Sequence, residues 1–402
     1  MDLRVVATRP DPALLALPWA QRLEDWADEH LVALPQGLSR HVVRIIRTGP
    51  GGAVYVAKET EERIALGEYQ LLRELGRERL PCVEPQCVIT GRRDEHGEPL
   101  PAVLVTRHLR FSLPYRWLFS HGTDAGQIPR LVDALVVLLV RLHLAGFFWG
   151  DVSLSNVLFR RNAGAFAAYL VDAETGELRS ALGDGMRQHD VTVGRENVFA
   201  ELLDLQASGM LEGDVDGLEM IDLIQERYDA LWAELTAVEE FGPDEMWRVE
   251  QRIERLNDLG FDVEEIEMVA DPDRNRFRLQ PKVIELGHHS RELQRLTGLD
   301  VEENQARRLL NDLAAFTLSM GLGSHPPEQV ATRWLTEIYE PVRDLVPPST
   351  LPRLEPAEVF HEILEHRWYL SERAGAEVDL FEAARDYIET VLPHRPALPT
   401  PG

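Results

Sequence analysis

Three polar residues in one stretch of the chain have the types and spacing for phosphoryl-transfer chemistry. Asp151 lies five residues before Asn156, and Asp172 follows sixteen residues after Asn156 at the end of an apolar run. Mg²⁺ prefers carboxylate and amide oxygens together with water, so Asn156 and Asp172 are candidate metal ligands. Asp151 is then left to orient an attacking hydroxyl or to accept its proton. The structural alternative is a turn at Gly150-Asp151, a cap at Asn156 and an acid at a strand end.

Lysine is rare in this chain, which makes Lys58 conspicuous. Of the 42 basic residues, only Lys58 and Lys282 are lysines. Lys58 ends an apparent strand from Ala53, the second arm of a predicted hairpin. A compact ammonium on a rigid strand suits a point-charge contact to nucleotide phosphates, where a guanidinium is bulkier. An ordinary surface lysine on a strand is the alternative interpretation.

A helix is predicted directly after this lysine, from about Glu61 to Leu75, because its apolar residues recur on one face. Glu68 lies beside that face and is the candidate partner that would hold Lys58 in place. Glu61 and Glu62 are alternative partners, and a solvated helix glutamate is the structural alternative.

Together these residues resemble the protein-kinase-like superfamily over roughly residues 30–235. Within this superfamily, the motifs resemble most those of the lipopolysaccharide-kinase (Kdo/WaaP-like), RIO and small-molecule phosphotransferase branches. The motifs that carry the resemblance are Val56-Ala57-Lys58, Leu142-His143-x-x-Gly146, Gly150-Asp151-x-Ser153-x-x-Asn156 and Val171-Asp172.

The resemblance implies ATP and Mg²⁺ as cofactors and a role for each residue. Lys58 would contact the nucleotide phosphates and Glu68 would fix Lys58. Asp151 would orient the acceptor as the catalytic residue, while Asn156 and Asp172 would hold Mg²⁺.

The sequence also departs from the pattern of protein kinases. Trp149 stands where they place the histidine of the catalytic loop, Ser153 where they usually have lysine, and Ala173-Glu174 where Phe-Gly follows the metal aspartate. Gly37 is the candidate phosphate-loop residue, and it is the single glycine between Gln36 and Arg40. A loop with one glycine offers few backbone N–H groups that could close over phosphates.

The elements along the chain predict an α+β protein with a two-lobed protein-kinase-like fold, in which a small antiparallel sheet lobe precedes a helical lobe. An additional, mainly helical C-terminal domain follows. The predicted divisions are an N-terminal helical extension at 1–29, an N-lobe at 30–109, a C-lobe at 110–235, the acidic C-terminal domain at 236–392 and a disordered tail at 393–402.

The C-terminal domain is predicted to contain one β-hairpin, with arms at Ile266 to Val269 and Arg276 to Leu279. A helix is predicted from Asp244 to Leu259. The stretch from Leu293 to Leu310 has a helix-turn-helix appearance, which we interpret as ordinary helix packing rather than DNA binding.

The segment Phe360 to Trp368 resembles an uncharacterised bacterial domain of the DUF4032 type, a resemblance that names an architecture and no activity. Its histidines, His361 and His366, are five residues apart, which places them about 140° apart around a helix and excludes a helical zinc-protease motif. A metal site that combines Glu358, His361, Glu362 and Glu365 with distant residues remains open. In the other interpretation these polar residues form a buried or interfacial network, and the domain is packed by Phe360, Ile363, Leu364, Trp368 and Leu370.

Charge is distributed unequally along the chain. Residues 1–180 carry 21 basic and 22 acidic side chains, whereas residues 181–402 carry 21 basic and 46 acidic ones. Because the second half repels phosphate-rich surfaces, we expect neither a nucleic-acid partner nor a membrane partner. With no leader-like segment and with Cys82 and Cys87 interpreted as reduced thiols, a cytoplasmic protein is predicted.

The sequence therefore predicts an ATP-dependent phosphotransferase that moves a γ-phosphoryl group to a hydroxyl of an unidentified small molecule or protein. A nucleotide-binding pseudokinase that recruits a partner through its C-terminal domain is the first alternative. A scaffold that binds no nucleotide is the second, and it predicts a filled cleft with Lys58 directed away from Asp172. An open cleft at Asp151, as opposed to one covered by residues 181–215, would favour nucleotide binding.

Overall fold

The computed structural model describes residues 3–8, 11–35, 39–49, 51–121, 125–211, 217–241, 248, 251–252, 256, 261–271, 276–348 and 355–394. The chain divides into two compact units. The first comprises residues 1–160 and 168–228, and the second comprises residues 161–167 and 229–398.

The first unit begins with an antiparallel sheet whose strand order is β1-β4-β5-β3-β2. Its strands are β1 (Arg4–Ala7), β2 (Val43–Arg47), β3 (Val54–Thr60), β4 (Pro85–Thr90) and β5 (Ala102–Arg107). The helix α1 (Glu62–Arg77) lies between β3 and β4 in the chain. Since β3 pairs with β2 on one side and β5 on the other, Lys58 lies on an interior strand.

The N-terminal residues differ from the predicted helical extension. Arg4–Ala7 is a strand that pairs antiparallel with β4, and three short 3-10 helices follow at Pro12–Ala16, Leu23–Asp25 and Asp28–His30. Prolines disfavour a continuous helix in this region. The apolar side chains instead pack into the same core as the sheet residues Ile46 and Tyr55. Those N-terminal core residues are Leu14, Leu17, Trp19, Leu23 and Trp26.

The rest of the first unit is mainly helical. In chain order the next elements are β6 (Ser112–Pro114), α2 (Tyr115–Ser120), α3 (Ile128–Leu144), β7 (Phe147–Phe148), β8 (Val157–Asn162), β9 (Ala165–Leu170), β10 (Glu177–Leu178), α4 (Asp184–Ala207) and α5 (Gly217–Thr236). Residues 161–167, where β8 ends and β9 begins, and the end of α5 from residue 229 belong to the second unit. The helix α3 is buried on nearly every side, as its apolar sequence predicts. A five-stranded antiparallel sheet followed by mainly helical elements confirms the predicted α+β class.

The second unit contains a sheet of β11 (Glu239–Phe241), β12 (Phe261–Asp271) and β13 (Arg276–Leu286), in the order β11-β13-β12. The predicted hairpin is therefore longer than expected and gains β11 as a third strand. The helices α6 (His288–Thr297), α7 (Glu303–Ser319), α8 (Pro327–Trp334), α9 (Glu340–Leu345), α10 (Pro356–Ala374) and α11 (Leu380–Thr390) follow. The predicted helix at 244–259 and the tail beyond 394 lie almost entirely outside the described residues.

The core of the second unit joins these helices to one another. Leu293 of α6 and Leu309 of α7 lie in one buried cluster with Trp334 and Phe360. The stretch with the helix-turn-helix appearance thus packs its apolar residues against other helices of the unit. Trp368 was expected in the core, but it is 67% exposed.

A buried polar network at the N-terminus of α7 includes the turn between β8 and β9. The Asn162 Oδ1 atom accepts hydrogen bonds from the backbone N–H groups of Asn304 (2.9 Å) and Gln305 (3.2 Å). Glu358 Oε2 accepts from Ala163 N and from Gln305 Nε2, both at 2.9 Å. Asn162 thus satisfies two helix-terminal N–H groups that have no partner within the helix, while Glu358 bonds the turn and the Gln305 side chain. Of the polar residues expected in a buried network, Glu358 belongs to this one, whereas Glu365 is exposed.

Two smaller expectations concern membranes and thiols. Within the described part of the chain, no helix has both the length and the apolarity to cross a membrane. Cys82 and Cys87 form no disulfide. Burial raises the pKa of each thiol to about 12, so neither is a thiolate near neutral pH.

The substitution Asn162→Ala tests the hydrogen bonds at the start of α7. Loss of a side-chain acceptor at a helix N-terminus costs about 0.5–2 kcal/mol. We therefore expect the amides of Asn304 and Gln305 to exchange with deuterium faster in the variant, by an opening free energy lower by about 1 kcal/mol. Asn304→Ala is the matched control, since it keeps its own backbone N–H bonded to Asn162. Equal exchange in both variants would contradict the capping role.

Candidate active site

Lys58 is held among carboxylates contributed by separate parts of the first unit. Its Nζ atom lies 2.9 Å from Glu68 Oε2 of α1 and 2.9 Å from Asp172 Oδ2. The structure thus selects Glu68 from the three predicted partners, because Glu61 and Glu62 are exposed. The side chains of Lys58 and Glu68 are only 11% and 0% exposed, so this pair is an interior contact.

The electrostatics of the pair follow from its burial. Burial acts to lower the pKa of Lys58, but the carboxylates of Glu68 and Asp172 outweigh it and the pKa is raised. Burial also raises the pKa of Glu68 to about 7, against the opposing effect of the Lys58 charge. Lys58 therefore stays protonated, while Glu68 changes protonation near neutral pH.

Glu174 is a third carboxylate at this position, and the sequence analysis missed it as a site residue. Its Oε2 atom lies 3.3 Å from Lys58 Nζ and 2.8 Å from His41 Nε2. Among the residues that the structure describes, Glu68, Asp172 and Glu174 form a group whose ligand atoms lie within 4.8 Å of one another, as a metal site requires. The sequence signal that could have identified Glu174 is the pair Ala173-Glu174, which stands where Phe-Gly follows the metal aspartate of protein kinases.

No comparable group of ligand atoms occurs around His361 in the described parts of the chain. Among the described residues, the possible metal site at Glu358, His361, Glu362 and Glu365 is therefore not supported by a cluster of ligand atoms. His361 is instead buried at 2% exposure, and its nearest carboxylate oxygen, Glu365 Oε1, lies 3.4 Å away.

Asp151 lies in the loop between β7 and β8, beside Asn156. The Asn156 Nδ2 atom donates to the backbone oxygen of Asp151 at 2.9 Å and to its Oδ2 atom at 3.1 Å. Asn197 Nδ2 of α4 donates to Val152 O at 3.0 Å. Gly150 has φ +77°, and a Cβ atom there would lie 3.3 Å from Thr175 O. The loop therefore needs glycine immediately before Asp151.

The buried carboxylate of Asp190, on α4, fixes the start of this loop by hydrogen bonds. It accepts hydrogen bonds from Trp149 N and Gly150 N, both at 2.8 Å, and contacts His143 Nε2 at 3.1 Å. Burial lowers the pKa of His143, which favours the neutral ring. Asp190 is fully buried and is a positioning residue. Sequence reasoning missed it because it lies on a distant helix outside any motif.

Glu201 of α4 fixes the other end of the loop. Its carboxylate accepts from Leu154 N and Ser155 N, both at 2.8 Å, and from the Ser155 hydroxyl at 2.5 Å. Burial raises the pKa of Glu201. Asp190 and Glu201 together accept hydrogen bonds from four backbone N–H groups of the loop, two on each side of Asp151. The backbone around Asp151 is therefore restrained at both ends.

These residues surround one open cleft in the first unit, with a volume of about 540 Å³. Five of the six predicted site residues line it, namely Lys58, Glu68, Asp151, Asn156 and Asp172. Residues of α4 line one wall and leave Asp151 accessible. The predicted phosphate-loop residue Gly37 lies outside the described residues, although Pro35 and Ser39 on either side of that segment line the cleft.

Comparisons with known proteins match the C-terminal region to a family and the chain to solved structures. Residues 230–392 match the family described as "Domain of unknown function (DUF4032)", which confirms the resemblance of the C-terminal region. A solved structure similar to this chain is "WaaP in complex with acyl carrier protein", at 18% identity and a TM-score of 0.33. The similarity covers 57% of this chain and 99% of that one. No curated protein matches the chain.

The raised pKa of Glu68 makes a prediction about stability. Its folded-state pKa is about 7 against an ordinary value of 4.5, so the folded state holds the proton more tightly than the unfolded chain. The stability that this adds is complete below the ordinary pKa and is lost as the pH rises through the folded-state pKa. Glu68→Gln, which cannot ionise, should therefore lose less stability than wild type between about pH 5 and pH 8.

Urea unfolding at several pH values measures this difference. Glu62→Gln, an exposed position on the same helix, is the matched control and should follow the wild-type dependence. If wild type gains stability relative to Glu68→Gln as the pH rises, the ion pair with Lys58 outweighs desolvation and the prediction is wrong.

Proposed function

We propose that the first unit binds ATP with Mg²⁺ and transfers the γ-phosphoryl group to a hydroxyl of an acceptor molecule. The observation that carries this proposal is the position of Lys58. A buried ammonium, fixed between Glu68 and Asp172, lines the same open cleft as Asp151 and Asn156. A scaffold without nucleotide would have a filled cleft and a lysine directed elsewhere.

The residues of the cleft fit a nucleotide and a divalent cation. Apolar side chains suited to a planar base line it, namely Val43, Ile45, Val56, Leu104 and Leu158. The carboxylates of Asp172 and Glu174 are hard oxygen donors of the kind that Mg²⁺ prefers. Because the Asn156 amide nitrogen is directed at Asp151, its amide oxygen is the atom that would serve a cation.

In this mechanism Lys58 holds the phosphates by charge, and Glu68 prevents the lysine from changing position. Mg²⁺, when bound, would offset the negative charge of the phosphates. Asp151 orients the acceptor hydroxyl and receives its proton. The acceptor oxygen forms a bond to the γ-phosphorus as the bond to the bridging oxygen breaks, and ADP leaves with the bonding electron pair.

Lys58→Met tests the nucleotide-binding role. Hydrogen bonds to charged groups contribute about 1.5–3 kcal/mol, so the variant should bind Mg²⁺–ATP roughly 10- to 100-fold more weakly. Because Lys58 is buried, the variant is also expected to be less stable. The measurement is therefore the nucleotide-induced shift in melting temperature of each protein relative to its own unliganded state.

Two further variants sharpen this experiment. Lys282→Met changes the one other lysine, on β13 in the second unit, and should keep the full shift. Lys58→Arg keeps the charge in a bulkier group and should restore little of the shift. An equal nucleotide-induced shift in wild type and Lys58→Met would show that Lys58 is no phosphate ligand.

The two aspartates separate an enzyme from a nucleotide-binding pseudokinase. Asp172→Asn should weaken both Mg²⁺-dependent nucleotide binding and turnover. Asp151→Asn should keep nucleotide affinity and lose phosphoryl transfer by roughly 10²- to 10⁴-fold, as for other positioned acid–base groups. ATP consumption and autophosphorylation are measured on the full chain, with Asp300→Asn, an exposed position in the second unit, as control.

Each result has a definite interpretation. Undiminished turnover in Asp151→Asn would exclude this cleft as the catalyst. Mg²⁺–ATP binding in wild type without any turnover would leave the pseudokinase standing beside an enzyme whose acceptor the assay lacks, and absence of binding would favour the scaffold.

A further inference from the structure

Arg40 places a guanidinium at the part of the cleft where the acceptor would react. Its Nη2 atom lies 3.5 Å from Asp151 Oδ2, and its side chain is 77% exposed. It precedes β2 and lines the same cleft as Lys58. This distance is longer than the 2.7–2.9 Å or so of a strong charge-assisted hydrogen bond, so the pair holds Arg40 only loosely.

Two of the cations that line the cleft, Arg40 and Lys58, differ in their freedom to meet a ligand. Lys58 is 11% exposed and lies within 3.3 Å of three carboxylates, those of Glu68, Asp172 and Glu174. Arg40 can turn toward an incoming anion with little loss of packing or pairing, because exposed ion pairs are weak. The fork of its N–H groups also matches two oxygens of one phosphoryl group.

The position of Arg40 indicates which phosphate it would meet. If Asp151 orients the acceptor hydroxyl, that hydroxyl must lie next to the phosphorus that it attacks. A guanidinium beside Asp151 is then adjacent to the terminal phosphoryl group, whereas Lys58 lies beside Asp172. The stretch from Gln36 to Arg40 contains one glycine and so offers few backbone N–H groups to bind phosphates. A contact from the Arg40 side chain would supply binding that the backbone does not.

We propose that Arg40 binds the γ-phosphoryl group of a nucleoside triphosphate and so distinguishes triphosphate from diphosphate. This inference rests on the proposed nucleotide-binding function of the cleft. The guanidinium would neutralise charge on the transferred group and align it with the hydroxyl that Asp151 holds. It adds a specificity-determining residue from the segment before β2 to the carboxylates already described.

The test compares two ligands and needs no knowledge of the acceptor. The affinities of the full chain for the Mg²⁺ complexes of ADP and of a non-hydrolysable imido analogue of ATP are measured by titration calorimetry. Arg40→Ala should weaken binding of the triphosphate analogue about tenfold or more and change ADP binding less than about twofold. Arg40→Lys should be intermediate for the triphosphate analogue, since it keeps the charge and loses the fork.

Two comparisons make the pattern specific. Arg44→Ala is the matched control, because Arg44 lies on β2 and does not line the cleft, and both affinities should stay at the wild-type value. Lys58→Met should weaken both ligands together. Equal weakening of both ligands by Arg40→Ala, or no weakening of either, would overturn the role of Arg40 while leaving the proposed function standing. Failure of wild type to bind either ligand would overturn both.

Discussion

The first unit depends on the buried contact between one ammonium and the surrounding carboxylates. Lys58 comes from an interior strand, Glu68 from α1, and Asp172 from the segment after β9, and their charged atoms meet at 2.9 Å. Charges that are removed from water must be paired, because the desolvation of an isolated ion is expensive. The contact therefore couples the orientation of α1 against the sheet to the position of Asp172. Any ligand that contacts the Lys58 ammonium must therefore bind where β3, α1 and the segment after β9 meet.

The loop that carries Asp151 illustrates a second constraint, the need to pair buried backbone groups. Trp149, Gly150, Leu154 and Ser155 present N–H groups that cannot join a strand or a helix. Asp190 and Glu201 of α4 accept these hydrogen bonds. One helix thus restrains both ends of the loop. The half-buried Asp151 carboxylate can therefore remain in a defined position without itself accepting these backbone hydrogen bonds. The side chain stays accessible because its neighbours, and not Asp151 itself, satisfy the backbone.

Sequence reasoning was most successful where local pattern and chemistry coincide. The apolar periodicity of α1 and α3, the interior strand that ends near Lys58 and the hairpin of the second unit all follow from spacing. It failed where tertiary packing decides. The N-terminal residues became a strand because β4 offers an edge with which they pair, and Trp368 is exposed because the buried residues of α10 all lie in its N-terminal half, up to Ile363. Asp190 and Glu174 carry no motif, so their roles follow from position alone.

The sequence by itself determined which residue types are available for chemistry: two lysines among 42 basic residues, and an aspartate and an asparagine at a fixed spacing in a loop after an apolar helix. It determined these because spacing along one loop is a local property. The tertiary structure alone decided which of three glutamates meets Lys58, that Glu174 and His41 join the same cluster, and that Arg40 lies beside Asp151. These contacts join residues more than a hundred positions apart in some cases, and their energies depend on burial, which no local pattern specifies.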